Sequence, residues 1–201
     1  MPAVPAVQRV AGVDEAGRGP WAGPVVACAV ILRMPRLPVR IDDSKRLTPL
    51  QRERAFHVIA RHAEVGCGVV CAEDIDRRNI LRATLHAMRL AVCDLPEAPD
   101  LVLIDGNMTP ELSMPCRAIV RGDQSTYVIS AASIMAKVIR DRLMAFYHRL
   151  DPRYGFHLHK GYGTELHAAR LAAHGPSVFH RASFHPVASV MAPPALATAD
   201  A

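Results

Sequence analysis

Asp14 and Glu15 stand side by side in Arg9-Val-Ala-Gly-Val-Asp-Glu-Ala-Gly-Arg-Gly-Pro20, where a short apolar run gives way to two acids and then to glycines. An apolar run that ends in adjacent carboxylates reads as a buried strand delivering oxygen ligands to the rim of a sheet. Such oxygens suit a hard divalent cation like Mg²⁺, which takes one or two carboxylates and completes its shell with water and phosphate. Backbone N–H groups in the Gly17-Arg18-Gly19 turn could then meet a phosphodiester or a ribose hydroxyl. The chemistry pointed to is metal-dependent hydrolysis of a nucleic acid.

A second apolar run, Leu101-Val-Leu-Ile104, also ends in an acid, Asp105. If the two strands are parallel neighbours, Asp14, Glu15 and Asp105 converge at one rim, where open α/β sheets bind ligands. Asp123 follows a further strand and precedes the longest helical pattern, so it could complete the set. Asp141, in Val-Ile-Arg-Asp, is its rival, although an Asp in mid-helix beside arginines is more often a solvated ion pair. A single Asp after a strand is more often a turn or a cap, and Asp105-Gly-Asn is such a turn signal. Two adjacent acids before a glycine turn are less easily explained that way. Four crowded carboxylates repel one another unless cations neutralise them, and two ions about 4 Å apart would clamp the attacking and leaving oxygens of a phosphoryl displacement.

Other patterns compete. Gly17-Arg-Gly-Pro-Trp-Ala22 satisfies the loose dinucleotide pattern G-x-G-x-x-A, with Asp42 and Asp43 about 20 residues on. That motif must open a helix, whereas Pro20 and Pro24 lead into a strand-like run, so it is discounted. His157 and His159 could be a metal pair, but no third ligand stands near them in sequence; phosphate contact or packing fits better. Cys28, Cys67, Cys71, Cys93 and Cys116 are odd in number and lack zinc-site spacing, so reduced thiols in a reducing compartment are expected. Cys67 and Cys71, four apart in a strand-like stretch, are expected to face one side.

The elements that would position these groups follow from periodicity. Strands are expected over 8–13, 25–32, 65–71, 101–104 and 115–120, the first two as an antiparallel pair. Thr48-Pro49 opens a helix running to about 63. Residues 72–93 read as one helix with Ile80, Leu81, Thr84, Leu85, Met88 and Val92 on its apolar face. The longest helix runs from about 125 to 150, a loop carries His157 to Thr164, and a last helix covers 164–174. From about 192 the chain is rich in Ala, Pro and Thr, which reads as a disordered tail.

The chain has 201 residues, half of them hydrophobic, which suits a single domain with a sizeable core. Its net charge of +5 permits a polyanionic partner. Only three of the 24 basic residues are lysines, Lys45, Lys137 and Lys160, and each lies in a segment with other functional signs. A lysine acts on phosphate as a point charge, so all three are candidates for the substrate backbone. The N-terminal Met-Pro-Ala-Val-Pro-Ala-Val lacks the charged and long apolar regions of a secretion signal, and no apolar run nears the roughly 18 residues of a membrane span. A cytoplasmic monomer is expected.

Six blocks in order carry a resemblance: Gly12-Val-Asp-Glu-Ala-Gly-Arg-Gly-Pro20, Asp43-Ser-Lys45, Ile104-Asp-Gly106, Gly122-Asp123, Ser130-Ala-Ala-Ser-Ile-Met-Ala-Lys-Val138 and Tyr154-Gly-Phe-x-x-His-Lys-Gly-Tyr-Gly-Thr164. Together with His180-Arg-x-Ser-Phe184, they resemble bacterial type 2 ribonuclease H (ribonuclease HII) over about residues 8–190. The resemblance implies a ribonuclease H-like α/β fold: a five-stranded mixed sheet, its first three strands antiparallel, flanked by helices and ending in a small helical segment. One catalytic domain would span 8–190, with a disordered tail over 191–201. It further implies Mn²⁺- or Mg²⁺-dependent cleavage of the RNA strand of RNA·DNA hybrids, and cleavage 5′ of ribonucleotides embedded in duplex DNA. By motif match, Asp14, Glu15, Asp105 and Asp123 would be the metal-binding carboxylates. Gly17, Arg18 and Gly19 would read the ribose 2′-hydroxyl, Tyr162 would stack beneath the next deoxyribose, and Ser44, Lys45, Lys137, His159 and Lys160 would line the substrate. Trp21 departs from the smaller aliphatic residue usual at its position. Two other readings stay open: a junction resolvase-like nuclease of the same fold, with no use for a 2′-hydroxyl reader, and a non-catalytic nucleic-acid-binding module, against which the phosphate-repelling acids argue.

Overall fold

The computed structural model describes residues 9–191. Strands β1 (Val10–Ala16), β2 (Val25–Leu32), β3 (Ala63–Val70), β4 (Leu101–Asp105) and β5 (Cys116–Ile119) form one mixed sheet in the order β3-β2-β1-β4-β5. β1, β2 and β3 are antiparallel in turn, whereas β4 lies parallel to β1 and β5 parallel to β4. Around the sheet are α1 (Pro49–His62), α2 (Ala72–Arg78), α3 (Ile80–Cys93), α4 (Gly122–Ser125), α5 (Tyr127–Leu150), α6 (Phe156–His159), α7 (Glu165–His174) and α8 (His185–Met191). The ribonuclease H-like architecture expected from the motifs is thus present.

Alternation along β1 divides the core. Ala11 and Val13 join Val25, Ala27 and Ala29 of β2 beneath α3, while Cys28 and Val30 face α5 and α1. Gly12 points at the first turn of α5, where a Cβ would meet the backbone of Val128 at 2.5 Å. Only a missing side chain lets the long helix lie this close to β1, and that closeness sets the height of Asp14 two residues on.

Several local expectations are corrected. β1 does not stop before its acids; it runs to Ala16, because β2 continues to pair with it through Ala16↔Val26. The helix expected over 72–93 is two, broken at Asn79, whose positive φ of 66° turns the chain and whose side chain accepts from the Arg82 N–H to cap α3. α3 buries Ala83, Ala87 and Ala91 beside Thr84, Met88 and Val92, and its backbone at Ala87 and Ala91 packs directly on Gly66 and Gly68 of β3, whereas Leu81, in the first turn and outside that contact, is exposed. β3 ends at Val70, so Cys71 is the N-cap of α2 and shares no strand face with Cys67. All five cysteines are free thiols. The expected loop before Thr164 contains α6, and Thr164 caps α7 by accepting from the His167 N–H. The expected tail lies outside the described residues except for Met191, which closes α8, and residue 8 also falls outside them.

Candidate active site

Parallel pairing between β1 and β4 ends at Val13↔Ile104. The next residue on each strand is an acid, so Asp14 and Asp105 face one another where the strands part. After β5, Arg121 adopts a left-handed conformation and turns the chain into α4, which brings Asp123 to the same place. One carboxylate oxygen each from Asp14, Asp105 and Asp123 lies within 4.8 Å of the others. The Asp123 N–H donates to Asp105 Oδ1 at 3.3 Å, and Ser130 Oγ donates to the Asp123 carbonyl at 2.8 Å, so the first turn of α5 helps to hold α4.

Burial is the first cause that raises the Asp14 carboxyl well above its usual range, followed by the charges of Glu15 and Asp105. Asp123 is raised by burial and then by Asp105 and Asp43. Glu15 is also raised by burial, but Arg18 opposes it from 3.6 Å. Oxygen donors that share a small, partly dry volume and repel one another match the needs of a hard divalent cation, which removes the repulsion. The chain supplies only oxygen here, which fits Mg²⁺ or Mn²⁺ better than a soft metal. Glu15 borders this triad without joining it. Asp141 lies apart, in an ion pair with Lys137 at 2.8 Å. Its neighbouring arginines go elsewhere: Arg142 pairs with Glu53, and Arg140 is fully buried.

The expected substrate residues divide into exposed and internal groups. Lys45 is exposed on a 3₁₀ turn (Ser44–Arg46) fixed by Asp43, and its Nζ lies 3.9 Å from Asp123 Oδ2. Tyr162 is 43% exposed, with Lys137 Nζ and the Arg140 guanidinium 5.9 and 5.8 Å from its ring centre. Lys160 turns through a positive φ, and its ammonium donates to the His157 carbonyl at 2.5 Å. Ser44 is buried, its hydroxyl 3.0 Å from that of Ser133. Both ring nitrogens of buried His159 are engaged: Nδ1 accepts from the Gly161 N–H, which leaves Nε2–H to donate to the Tyr154 carbonyl. Both side chains are buried and bonded within the protein.

Sequence reasoning missed what holds the glycine turn. Arg181 donates from Nε to the Gly23 carbonyl at 3.0 Å, from Nη1 to Arg18 at 2.9 Å and from Nη2 to Gly17 at 2.5 Å. Arg140 donates to the carbonyls of Pro24, Lys160 and Ala22 at 2.9, 3.0 and 3.2 Å. Gly17, with φ of 101°, leaves the space that the Arg140 side chain fills, since a Cβ would stand 2.0 Å from Nε. The signal for Arg140 was its register: Ala132, Ala136, Arg140 and Met144 recur every four residues on a buried stripe. Two further histidines complete the support. His180 Nδ1 accepts from the Ser177 N–H, so its Nε2–H donates to His167 Nε2 at 3.0 Å, and His167 Nδ1–H donates to the Tyr162 carbonyl at 2.9 Å.

With this geometry in hand, comparisons place the chain among known proteins. A family model described as "Ribonuclease HII" matches residues 11–187. Proteins named ribonuclease HII from Chloroflexus aggregans and ribonuclease HII 1 from Methylibium petroleiphilum are 50% and 51% identical to it, over 90% and 92% of this chain and 89% and 94% of their own. The crystal structure of ribonuclease H2 from Pyrococcus horikoshii OT3 superposes with a TM-score of 0.77 at 25% identity, covering 90% of this chain and 96% of that one. That of Bst-RNase HIII in complex with Mn²⁺ shares the fold, with a TM-score of 0.71 at 20% identity over 92% of this chain and 69% of that one.

Proposed function

The chain belongs to the ribonuclease HII family, and from that premise we propose how its rim recognises and cuts a substrate. The enzyme is a divalent-metal-dependent endoribonuclease acting on the RNA of RNA·DNA hybrids. Family membership sets aside the resolvase-like and non-catalytic readings.

Asp14, Asp105 and Asp123, with Glu15 beside them, hold Mg²⁺ or Mn²⁺; the observation that carries this is the convergence of three carboxylate oxygens within 4.8 Å. A cation that these carboxylates hold would supply activation of water near neutral pH and charge neutralisation at the phosphate. The Mn²⁺ complex of Bst-RNase HIII supports the choice of cation through the shared fold. The remaining work falls to residues that orient the substrate. The turn over Gly17–Gly19 reads the ribose 2′-hydroxyl, and the half-exposed Tyr162 ring takes the next sugar, where a protruding 2′-hydroxyl would clash. Lys45, next to Asp123, meets a neighbouring phosphate, while Lys137 and Lys160 line the strand beyond it. His159 and Ser44 act on the substrate only through the loops they hold. Cleavage falls on the 5′ side of a ribonucleotide, including one embedded in duplex DNA, leaving 3′-hydroxyl and 5′-phosphate ends.

The catalytic unit is one domain over residues 8–190, acting as a monomer in the cytoplasm. Free thiols at all five cysteines support a reducing compartment, and among the described residues no helix is long and apolar enough to cross a membrane. The test is a duplex with one ribonucleotide, incubated with Mg²⁺ or Mn²⁺ and resolved at single-nucleotide precision. A single cut 5′ of the ribonucleotide is expected. Cleavage elsewhere, or of all-DNA duplex equally well, would refute the reading.

A further inference from the structure

Arg140 and Arg181 are both 0% exposed, and every hydrogen bond they make among the described residues goes to a backbone carbonyl. Burying a cation without an anionic partner is unfavourable, and here two guanidiniums are buried near each other. Burial, and then the charge of Arg140, lower the Arg181 pKa to about 9. The six carbonyls belong to Gly17, Arg18, Ala22, Gly23, Pro24 and Lys160, so five lie on the turn that follows Asp14 and Glu15. A planar fork that fills three carbonyls at once fixes their directions, which a single ammonium cannot do.

Those directions have a stereochemical consequence. In a planar trans peptide the C=O and the next residue's N–H point opposite ways, and the described chain has no cis peptide. With the Gly17 and Arg18 carbonyls drawn inward onto Arg181, the N–H groups of Arg18 and Gly19 face away from it. The turn therefore presents donors, and what they can grip is an acceptor oxygen. Other bonds fix the turn against the loop that carries Tyr162, through Trp21 N–H to the Gly161 carbonyl and Arg140 to Lys160, and against the Arg181 segment, through Arg181 N–H to the Trp21 carbonyl. Asp76 holds the far side of the Arg181 segment by accepting from the N–H groups of Ala182 and Ser183.

We propose that Arg181 is a positioning residue for ribose selectivity: by occupying the Gly17 and Arg18 carbonyls it aims the Arg18 and Gly19 N–H groups at the 2′-oxygen of the substrate. This rests on the Gly17–Gly19 turn being the ribose reader.

The test compares single-turnover rates, with enzyme in excess, on two duplexes that differ only in carrying one ribonucleotide or its 2′-fluoro analogue. Fluorine is similar in size but a poor acceptor. Arg181→Lys keeps the charge and loses the fork. The preference for hydroxyl over fluorine should fall about tenfold, the worth of one well-aimed hydrogen bond. If both rates fall together and the preference is unchanged, Arg181 is merely structural and the proposal is overturned. Should Arg181→Lys not fold, amide hydrogen exchange of the wild-type protein in EDTA decides: the ribonucleotide duplex should protect Arg18 and Gly19 N–H groups more than an all-DNA duplex does. Equal protection by both refutes the proposal. A wild-type enzyme that fails to cut at the ribonucleotide at all contradicts the underlying reading instead.

Discussion

Acidification to pH 5 should weaken the fold through two histidines behind the tyrosine loop. His167 and His180 are buried, and their bonds require a defined neutral tautomer of each: Nδ1–H on His167 and Nε2–H on His180. Burial, more than any neighbouring charge, lowers both pKa values from 6.5 to about 4. The folded state therefore resists protonation that the unfolded chain accepts. Their contribution is complete above pH 6.5 and is lost as pH falls from 6.5 towards 4. A shift from 6.5 to 4 corresponds to about 1.8 kcal/mol per ring between pH 7 and pH 5, and solvent screening at the cluster's edge brings this to about 1–2 kcal/mol. Urea unfolding can be followed through Trp21, the only tryptophan, whose ring centre lies 5.3 Å from that of His167. The loss of stability from pH 7 to pH 5 should shrink in His180→Gln, and ¹⁵N spectra of the folded protein at pH 5 should show the two neutral tautomers. A protonated imidazole at either position in the folded protein at pH 5 would refute the tautomer chain.

Three other outcomes are expected. Asp14→Asn and Asp105→Asn should each reduce cleavage by several orders of magnitude, and Asp14→Asn should also raise the melting temperature of the metal-free protein by a few degrees, because it removes a buried charge facing Glu15 and Asp105; calorimetry in EDTA beside a cleavage assay tests both. Asp123→Asn should harm activity far more than Asp141→Asn, whose side chain only pairs with Lys137; the reverse order in a rate comparison would move the ligand onto α5. Lys45→Ala should flatten the dependence of log K on log salt by about one unit without moving the cleavage position, and an unaltered slope would remove Lys45 from the phosphate contacts.

The carboxylates were legible because an apolar run that ends in acid is a local pattern, and two such runs needed only one assumption, parallel pairing, to converge. That pairing is present between β1 and β4. The strand end was misjudged because hydrogen bonding to β2 continues regardless of side-chain polarity and carries β1 on to Ala16. Asn79 escaped notice since periodicity continues through it in register, while the break lies in a backbone angle that side-chain patterns do not record. Register marks Arg140 as buried, but what it and Arg181 hold was illegible for a deeper reason. Their partners are carbonyls, which every residue has, lying 116 and 164 positions away for Pro24 and Gly17. For His159, phosphate contact and packing could not be separated from the sequence, because a histidine's role depends on what surrounds both ring nitrogens, and that is set only by the folded loop.

The 164-residue span between Gly17 and Arg181 also bears on when the site becomes complete. Bringing such distant points together carries a closure entropy of roughly 4–5 kcal/mol, and contacts this non-local form late. Asp14 and its sheet neighbours belong to segments that can assemble while residue 181 is still unattached. During biosynthesis the carboxylate cluster would therefore precede the Arg181 bonds, leaving an interval in which the three acids have converged but the glycine turn is not yet held. In refolding experiments Trp21 emission should then reach its native value after the far-ultraviolet circular dichroism does, and simultaneous recovery of the two signals would contradict that order.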